Sequence, residues 1–311
     1  MEDSNKKGSK VRNPKSEIPV KKYGTLYVVS TPIGNLEDIT LRALRVLESV
    51  DIMAAENVAH TRGLCKHYGI KTRLASYNQH NQKVKGPELI KRLKSGLDVA
   101  VVTDAGTPGI SDPGVFLINR AAEDDIVVTP VPGPSAVVAA LSVSGLPTEE
   151  FVFLGFLPNK SGKRKQALTR LVSNTRTMVF FEAPHRIKAM LTDLKDILGD
   201  PQMVMLREMT KVFEEVKRGT ASAILDHLTQ DRIRGEFTLV VRGAEEREQV
   251  LSEGVLGRIE ELLAEKKMSV RDIANLLSGE EGLGYRHIYR ECLARKRGLE
   301  GFGMDGAGQE I

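Results

Sequence analysis

Three glycine- and proline-rich turns in this chain have the residue types that bring backbone close to a small ligand. They are TPIGN at 31–35, DAGTPGISDPG at 104–114 and PGPSA at 132–136. In the second, Gly106, Gly109 and Gly114 permit backbone angles that other residues avoid, Pro108 and Pro113 stiffen the path, and Asp104, Thr107, Ser111 and Asp112 supply polar groups. Each turn follows a short apolar run and so falls at a strand end, where open α/β sheets bind their ligands. Strand ends also carry groups able to take a proton or offset a developing charge: Glu56, His60, Asp104, Glu182 and His185, with Arg186 and Lys211 as cations. Taken singly, each histidine reads first as a structural hydrogen-bonding group, and His60 is the preferred proton acceptor of the set.

None of the turns is a phosphate-cradling GxxxxGK[ST] loop or a dinucleotide-binding G-x-G-x-x-G. The two cysteines, Cys65 and Cys292, stand far apart and in no metal-ligand or redox spacing. P-loop phosphoryl transfer, hydride transfer and metal hydrolysis are therefore disfavoured. No metal is expected, and the cysteine usage suits a reducing cytoplasm.

The elements that must position these turns alternate along the chain. Strand patterns at 26–30, 52–56, 99–103 and 126–131 are separated by helical patterns at 41–49, 57–69, 86–94 and 115–123, with an apolar helix running through Leu141. Asp38 or Thr40 is positioned to cap the first helix. Repeated βα units of this length predict a parallel sheet covered by helices. From about Pro147 a second set begins, with FVFLGF, TMVFFEA, MVMLRE and EFTLVVRG as strands, helices at 163–172, 185–198 and 221–228, and EEVKRG as an added strand that makes the sheet mixed. A charged helix at 250–266 then leads to two short helices, the first capped by Ser269, in a helix-turn-helix shape. The expected organisation is a disordered basic tail (1–23), an N-terminal α/β domain (24–147), a second α/β domain (148–244), a helical appendage (245–298) and a tail (299–311).

At 311 residues the chain is long enough to bury two cores, and no apolar run approaches the ~20 residues of a membrane span. With 45 basic and 41 acidic residues its net charge of +4 is modest, but the charges cluster. The first 22 residues are lysine-rich, and NKSGKRKQALTR carries Lys160, Lys163, Arg164, Lys165 and Arg170 with no acid. Such clusters suit a phosphate backbone, although a solvated helix face would look similar.

Seven stretches between Leu26 and Val241 together resemble the tetrapyrrole methylase superfamily and, within it, the methyltransferases of small-subunit ribosomal RNA. They are LYVVSTPIGNLEDITLRAL, VTDAGTPGISDPG, PVPGPSAVVAALSVSGLPT, FLGFLP, FFEAPHR, REMTKVFEE and GEFTLVV, in that order. The resemblance implies two α/β domains with S-adenosylmethionine in the cleft between them. It also implies methylation of the ribose 2′-hydroxyl of a cytidine in the decoding region of 16S rRNA, and a homodimer acting on that RNA or on the small ribosomal subunit. Pro32, Gly34, Asp104, Gly106, Thr107, Ile110, Ser135, Ala136 and Phe181 are the implied donor-site positions. Glu56, His60 and Glu182 are the candidate catalytic groups, and Lys160, Lys163, Arg164, Lys165, His185 and Arg186 the candidate RNA contacts.

Two departures bear on the RNA side. Where related chains read AEDTRHT this one reads AENVAHT, so Asn57 replaces an acid and Ala59 an arginine, and Ala183 stands where serine is common. Two other readings remain open at this stage. One is a corrin or porphyrin methyltransferase with the same donor site, and the other is a non-catalytic ribosome-binding protein that keeps the fold.

Overall fold

The computed structural model describes residues 22–229, 233–245 and 251–301. The expected basic tail lies outside them apart from Lys22 and Tyr23, and so does the C-terminal tail from residue 302 onward. Packing divides the chain into two compact units at Ala244 and Glu245.

The first unit contains two sheets. Its N-terminal sheet is built from β1 (Leu26–Val29), β2 (Ile52–Ala55), β3 (Arg73–Ser76), β4 (Val99–Val102) and β5 (Val128–Val131), all parallel, in the order β3-β2-β4-β1-β5. The helices α1 (Leu41–Ser49) and α2 (Val58–Tyr68) cover one face, where Leu47 and Leu64 pack on Met53 and Ala100. Along the other face run α3 (Gln82–Lys94) and α4 (Val115–Glu123), with Leu93 and Leu117 against Val99 and Val101. Being covered twice, β2 and β4 are buried at every position, which explains their uninterrupted apolar sequences. Burying each such Val, Leu or Met stabilises the fold by about 1.5–3 kcal/mol. Pro130 is tolerated because β5 is an edge strand, and its outward carbonyl accepts from Arg42 Nη2 at 3.2 Å.

The helix caps follow from short polar side chains. Thr40 Oγ1 accepts from Ala43 N at 3.1 Å and so begins α1, while Asn57 Oδ1 accepts from Ala59 N and His60 N and begins α2.

The second sheet is mixed, in the order β6-β7-β10-β8-β9, from β6 (Phe151–Phe156), β7 (Thr177–Glu182), β8 (Gln202–Arg207), β9 (Glu215–Thr220) and β10 (Phe237–Val241). Only β6 and β7 run parallel. The helices α6 (Ser161–Thr169), α7 (Ile187–Leu198) and α8 (Ala221–His227) cover one face through a core that includes Leu168, Met190, Leu194 and Ile224. The opposite face is covered by α5 (Ala136–Ser144), whose Val137, Ala140 and Leu141 pack on Val179, Val204, Leu206 and Val240. Thus the helix that follows the last strand of the first sheet packs on the second sheet. This accounts for the apolar face Val137, Ala140 and Leu141, whereas Val138 and Val143 of the same helix are exposed.

The second unit consists of α9 (Glu253–Glu265), α10 (Val270–Glu281) and α11 (Tyr285–Gly301) around Ile259, Ile273, Leu277 and Ile288. Ser269 and Asp272 form a reciprocal capping box at the start of α10. Among the described residues no helix is long and apolar enough to cross a membrane.

Candidate active site

The strand order reverses direction at β1 and β4. The chain leaves β1 toward β2 and leaves β4 toward β5, so the loops after these neighbouring strands flank a crevice. Those loops are the first two of the three turns picked out by composition. They are stitched together: Thr31 N donates to Gly106 O at 2.9 Å and Gly106 N to Thr31 O at 3.1 Å. Thr31 Oγ1 also donates to Thr103 O at 3.0 Å, and the Ser30 and Thr107 hydroxyls lie 2.8 Å apart. Gly106 has φ of +75°, a backbone state that a residue with Cβ rarely adopts.

Two chambers open beside this stitch. The smaller, of about 290 Å³, is walled by Gly106, Thr107, Ile110 and Asp112 from the loop after β4 and by Ser135 and Ala136 at the start of α5. The second sheet closes it with Phe156, Phe181, Met209 and Thr238. Phe181 is held edge-on between Phe153 (4.9 Å) and Phe156 (5.7 Å), a fixed aromatic wall. The larger chamber, of about 630 Å³, is lined by Pro32 and Gly34 from the first turn, Ala59, His60 and Gly63 from α2, Asp104, and Lys211 from the second sheet. Ile33, Ala105 and Glu236 belong to both walls.

Carboxylates gather at this boundary. Glu56 Oε2 accepts from Asp104 N at 3.3 Å, and Asp104 Oδ1 is buried with no hydrogen-bond partner among the described residues. Burial, followed by the charges of Glu56 and Asp104, pushes the Asp112 carboxyl up to about 7. Glu56 is also raised, chiefly by burial, with the bond from Asp104 N opposing and the Asp104 charge adding to it. Opposite them, Lys211 Nζ donates to Glu208 Oε1 at 2.8 Å and Glu236 Oε2 at 3.0 Å. Burial disfavours its charge, but these two partners outweigh burial and raise the ammonium above the ordinary lysine value.

The expected donor-site residues divide between the chambers. Gly106, Thr107, Ile110, Ser135, Ala136 and Phe181 wall the smaller one, whereas Pro32, Gly34 and Asp104 wall the larger one. Gly34 is needed there for contact between loops: a Cβ would lie 2.6 Å from Lys211 Cγ and 2.9 Å from Met209 O.

Of the expected catalytic groups, His60 lines the larger chamber and is exposed. Glu182 belongs to the wall of the smaller chamber, but its side chain is buried, with Oε1 accepting from Ala183 N at 2.8 Å and Oε2 from Arg186 Nη2 at 3.0 Å, so both oxygens hold a turn. Glu56 lines neither chamber; its carboxylate accepts from the Asp104 backbone N–H.

Among the expected RNA contacts, Lys160, Lys163, Lys165 and His185 are exposed. Arg186 turns inward to Glu182 and to Leu157 O at 2.7 Å. Arg164 is only 4% exposed and pairs with the equally buried Asp193 at 2.6 Å, so it is a core ion pair and not part of an RNA face. The sequence reading assigned no role to Met209 or Glu236. For Glu236 the available signal was its position just before β10, inside the GEFTLVV motif. The Asn57 departure is conservative in structure, because its side chain caps α2 through the backbone N–H groups of Ala59 and His60.

Comparison with known proteins agrees with this architecture. Residues 25–225 match the family model of Tetrapyrrole (Corrin/Porphyrin) Methylases. A protein of Halalkalibacterium halodurans named ribosomal RNA small subunit methyltransferase I is 47% identical over 220 residues, covering 71% of this chain and 76% of the relative. A protein of the same name from Synechocystis sp. is 42% identical over 273 residues, covering 87% of this chain and 98% of the relative. Among solved structures, uroporphyrin-III C-methyltransferase from Thermus thermophilus, complexed with S-adenyl homocysteine, superposes with a TM-score of 0.51 at 17% identity, covering 70% of this chain and 97% of that one. The chain therefore belongs to the tetrapyrrole methylase family and, within it, to the group of the small-subunit ribosomal RNA methyltransferases I.

Proposed function

We propose that this protein transfers a methyl group from S-adenosylmethionine to the ribose 2′-hydroxyl of a cytidine in the decoding region of 16S rRNA. The observation that carries the reading is the pair of chambers sharing Ile33, Ala105 and Glu236, one strongly apolar and loop-walled, the other larger and more polar. The names of the relatives support ribosomal RNA as the acceptor.

The smaller chamber fits the donor by the chemistry of its walls. Phe156, Phe181 and Ile110 offer apolar faces to an adenine, the backbone at Gly106 lets a ligand approach closely, and the first turn of α5 at Ser135 and Ala136 favours a carboxylate. Asp112 supplies a carboxylate that complements a cation. When bound, the donor supplies a methyl carbon made electrophilic by its sulfonium.

The chain's own residues do the rest. Ile33 and Ala105, common to both walls, fix where acceptor and donor meet, which is where orientation contributes most to rate. Asp104, which lines the larger chamber, takes the proton of the attacking hydroxyl on its carboxylate. Glu56 fixes the Asp104 backbone through its N–H. Lys211, held as a cation by Glu208 and Glu236, holds the ribose oxygens or the adjoining phosphate. His60 lines the far side of the same chamber and orients the nucleotide. A ribosomal acceptor puts the protein in the cytoplasm. The reading also includes a homodimer, which light scattering of the purified chain tests.

The acceptor is tested by offering radiolabelled donor with purified small ribosomal subunits in one reaction and a uroporphyrinogen in another. Label in the RNA alone is expected. Label in the tetrapyrrole alone, or in neither, would overturn the proposal.

A further inference from the structure

The seven residues joining β8 to β9, 208–214, form a crown beside the larger chamber. Two of them, Glu208 (φ 53°) and Thr210 (φ 65°), occupy left-handed backbone although neither is glycine. Such conformations persist where the surroundings over-determine them, and here they do. Lys211 N donates to Glu208 O and Glu214 N to Lys211 O, each at 3.0 Å, while Thr210 N donates to Glu214 Oε2 at 3.0 Å. Asn35 N, from the first turn, donates to Thr210 Oγ1 at 3.0 Å. The loop is thus tied down by its polar groups and by Met209, which lines the smaller chamber, while its other two apolar residues face solvent: Val212 is 93% exposed and Phe213 is 73% exposed.

A lone exposed apolar residue needs no explanation. An aromatic ring on an over-determined loop, two residues from a lysine that lines the substrate chamber, does. Across that chamber, α2 lends Ala59, His60 and Gly63 to the wall and exposes Arg62, Lys66 and His67, with no acid in the whole helix. A cationic helix on one side and a rigidly presented ring on the other complement a single strand of RNA, whose backbone is anionic and whose unpaired bases stack on aromatic side chains.

We propose that Phe213 is the stacking platform for a base adjoining the modified nucleotide, while α2 carries the neighbouring phosphates. This rests on the RNA-methyltransferase reading above and names a residue that selects the strand. The ring excludes water from one base face and fixes the register in which the next ribose enters the chamber.

The test uses Phe213→Ala, Phe213→Leu and Phe213→Trp in the full chain. Phe213 is exposed, so all three should fold, and thermal melts check this. With small subunits as acceptor, Phe213→Ala should lower kcat/KM by about 10- to 100-fold, mainly through KM, since a base–aromatic stack is worth about 1–3 kcal/mol. Phe213→Leu, which keeps apolar bulk without a ring, should fall as far, and Phe213→Trp should recover most of the loss. Wild-type behaviour of Phe213→Leu would overturn the stacking role.

A second measurement does not depend on methyl transfer. The chain contains no tryptophan, so Phe213→Trp introduces a single reporter. A short single-stranded RNA of mixed sequence should quench its fluorescence saturably, whereas duplex RNA should not. Quenching in a protein that labels no RNA would uphold the platform while the proposed reaction fell. RNA labelling by the wild type without any quenching would do the reverse. An emission shift that grows with protein concentration in the absence of RNA would assign Phe213 to a contact between two copies and overturn the proposal.

Discussion

Thr31 and Gly106 exchange both of their backbone hydrogen bonds, at 2.9 and 3.1 Å, across the point where the strand order of the first sheet reverses. This pair fixes the loops that wall the two chambers, and Gly106 can serve only because its φ of +75° is open to glycine. Valine at this position would strain the backbone and set a branched side chain beside Ile33, whose Cγ2 stands 3.6 Å from where a Cβ would be. Gly106→Val should therefore raise the donor Kd by at least about tenfold in a folded protein, a loss of about 1.4 kcal/mol. Isothermal calorimetry checks this, and unchanged affinity would remove the loop from the donor site.

Asp104 and His60 both line the larger chamber, but His60 is exposed whereas Asp104 is half-buried and anchored through its N–H to Glu56. Asp104→Asn should lower kcat by about 10²- to 10⁴-fold with little change in donor Kd. His60→Ala should act mainly on the KM for RNA. Single-turnover kinetics with saturating donor separates the two, and the opposite ranking would make His60 the proton acceptor.

Asp112 titrates near neutrality because burial, then Glu56 and Asp104, oppose its ionisation. A folded pKa raised from 3.8 to about 7 means that the folded chain holds a proton the unfolded chain has lost, so the stabilising contribution disappears as pH rises through about 7. A cationic ligand in the same chamber favours the ionised form, so donor affinity should rise across that interval with release of a proton. The uncharged thioether product should show a weaker dependence. Calorimetry in buffers of different ionisation enthalpy reads the proton directly, and Asp112→Asn should flatten the profile.

Arg164 and its lysine neighbours separate a structural role from a binding one. Arg164→Ala leaves the buried Asp193 with only its longer contact to Lys165 Nζ at 3.6 Å and should cost about 3–5 kcal/mol in urea denaturation. Replacing the exposed Lys160 and Lys163 by alanine should spare stability and reduce the slope of log affinity for RNA against log salt by roughly one to two. An unchanged slope would remove α6 from the interface.

The sequence was most legible where burial is complete or turn chemistry is explicit. Continuous apolar runs marked β2 and β4, and the three turns marked the chamber walls. One strand was missed: β3, sequence RLAS, is a four-residue edge strand with exposed ends and so has no apolar run to announce it. Pro87 resembles a first-turn proline and so places the start of α3 at Gly86 in sequence, whereas the helix begins at Gln82 after a turn in which Asn78 and Asn81 bond each other. At the site, the pairing of Arg164 with Asp193 joins residues 29 apart, beyond any local pattern. The pairing of Glu182 with Arg186 was open to reading, since acid and base stand four residues apart at a strand-to-helix turn.

The central claim is that the two chambers bring a methyl donor to a ribose hydroxyl of ribosomal RNA. Nucleoside mass spectrometry of 16S rRNA tests it most directly, after incubation of purified, unmodified small subunits with the protein and isotopically labelled donor. The account predicts the label on the ribose of a single cytidine and its loss with Asp104→Asn. Label on a base, or no label in the RNA, would contradict it.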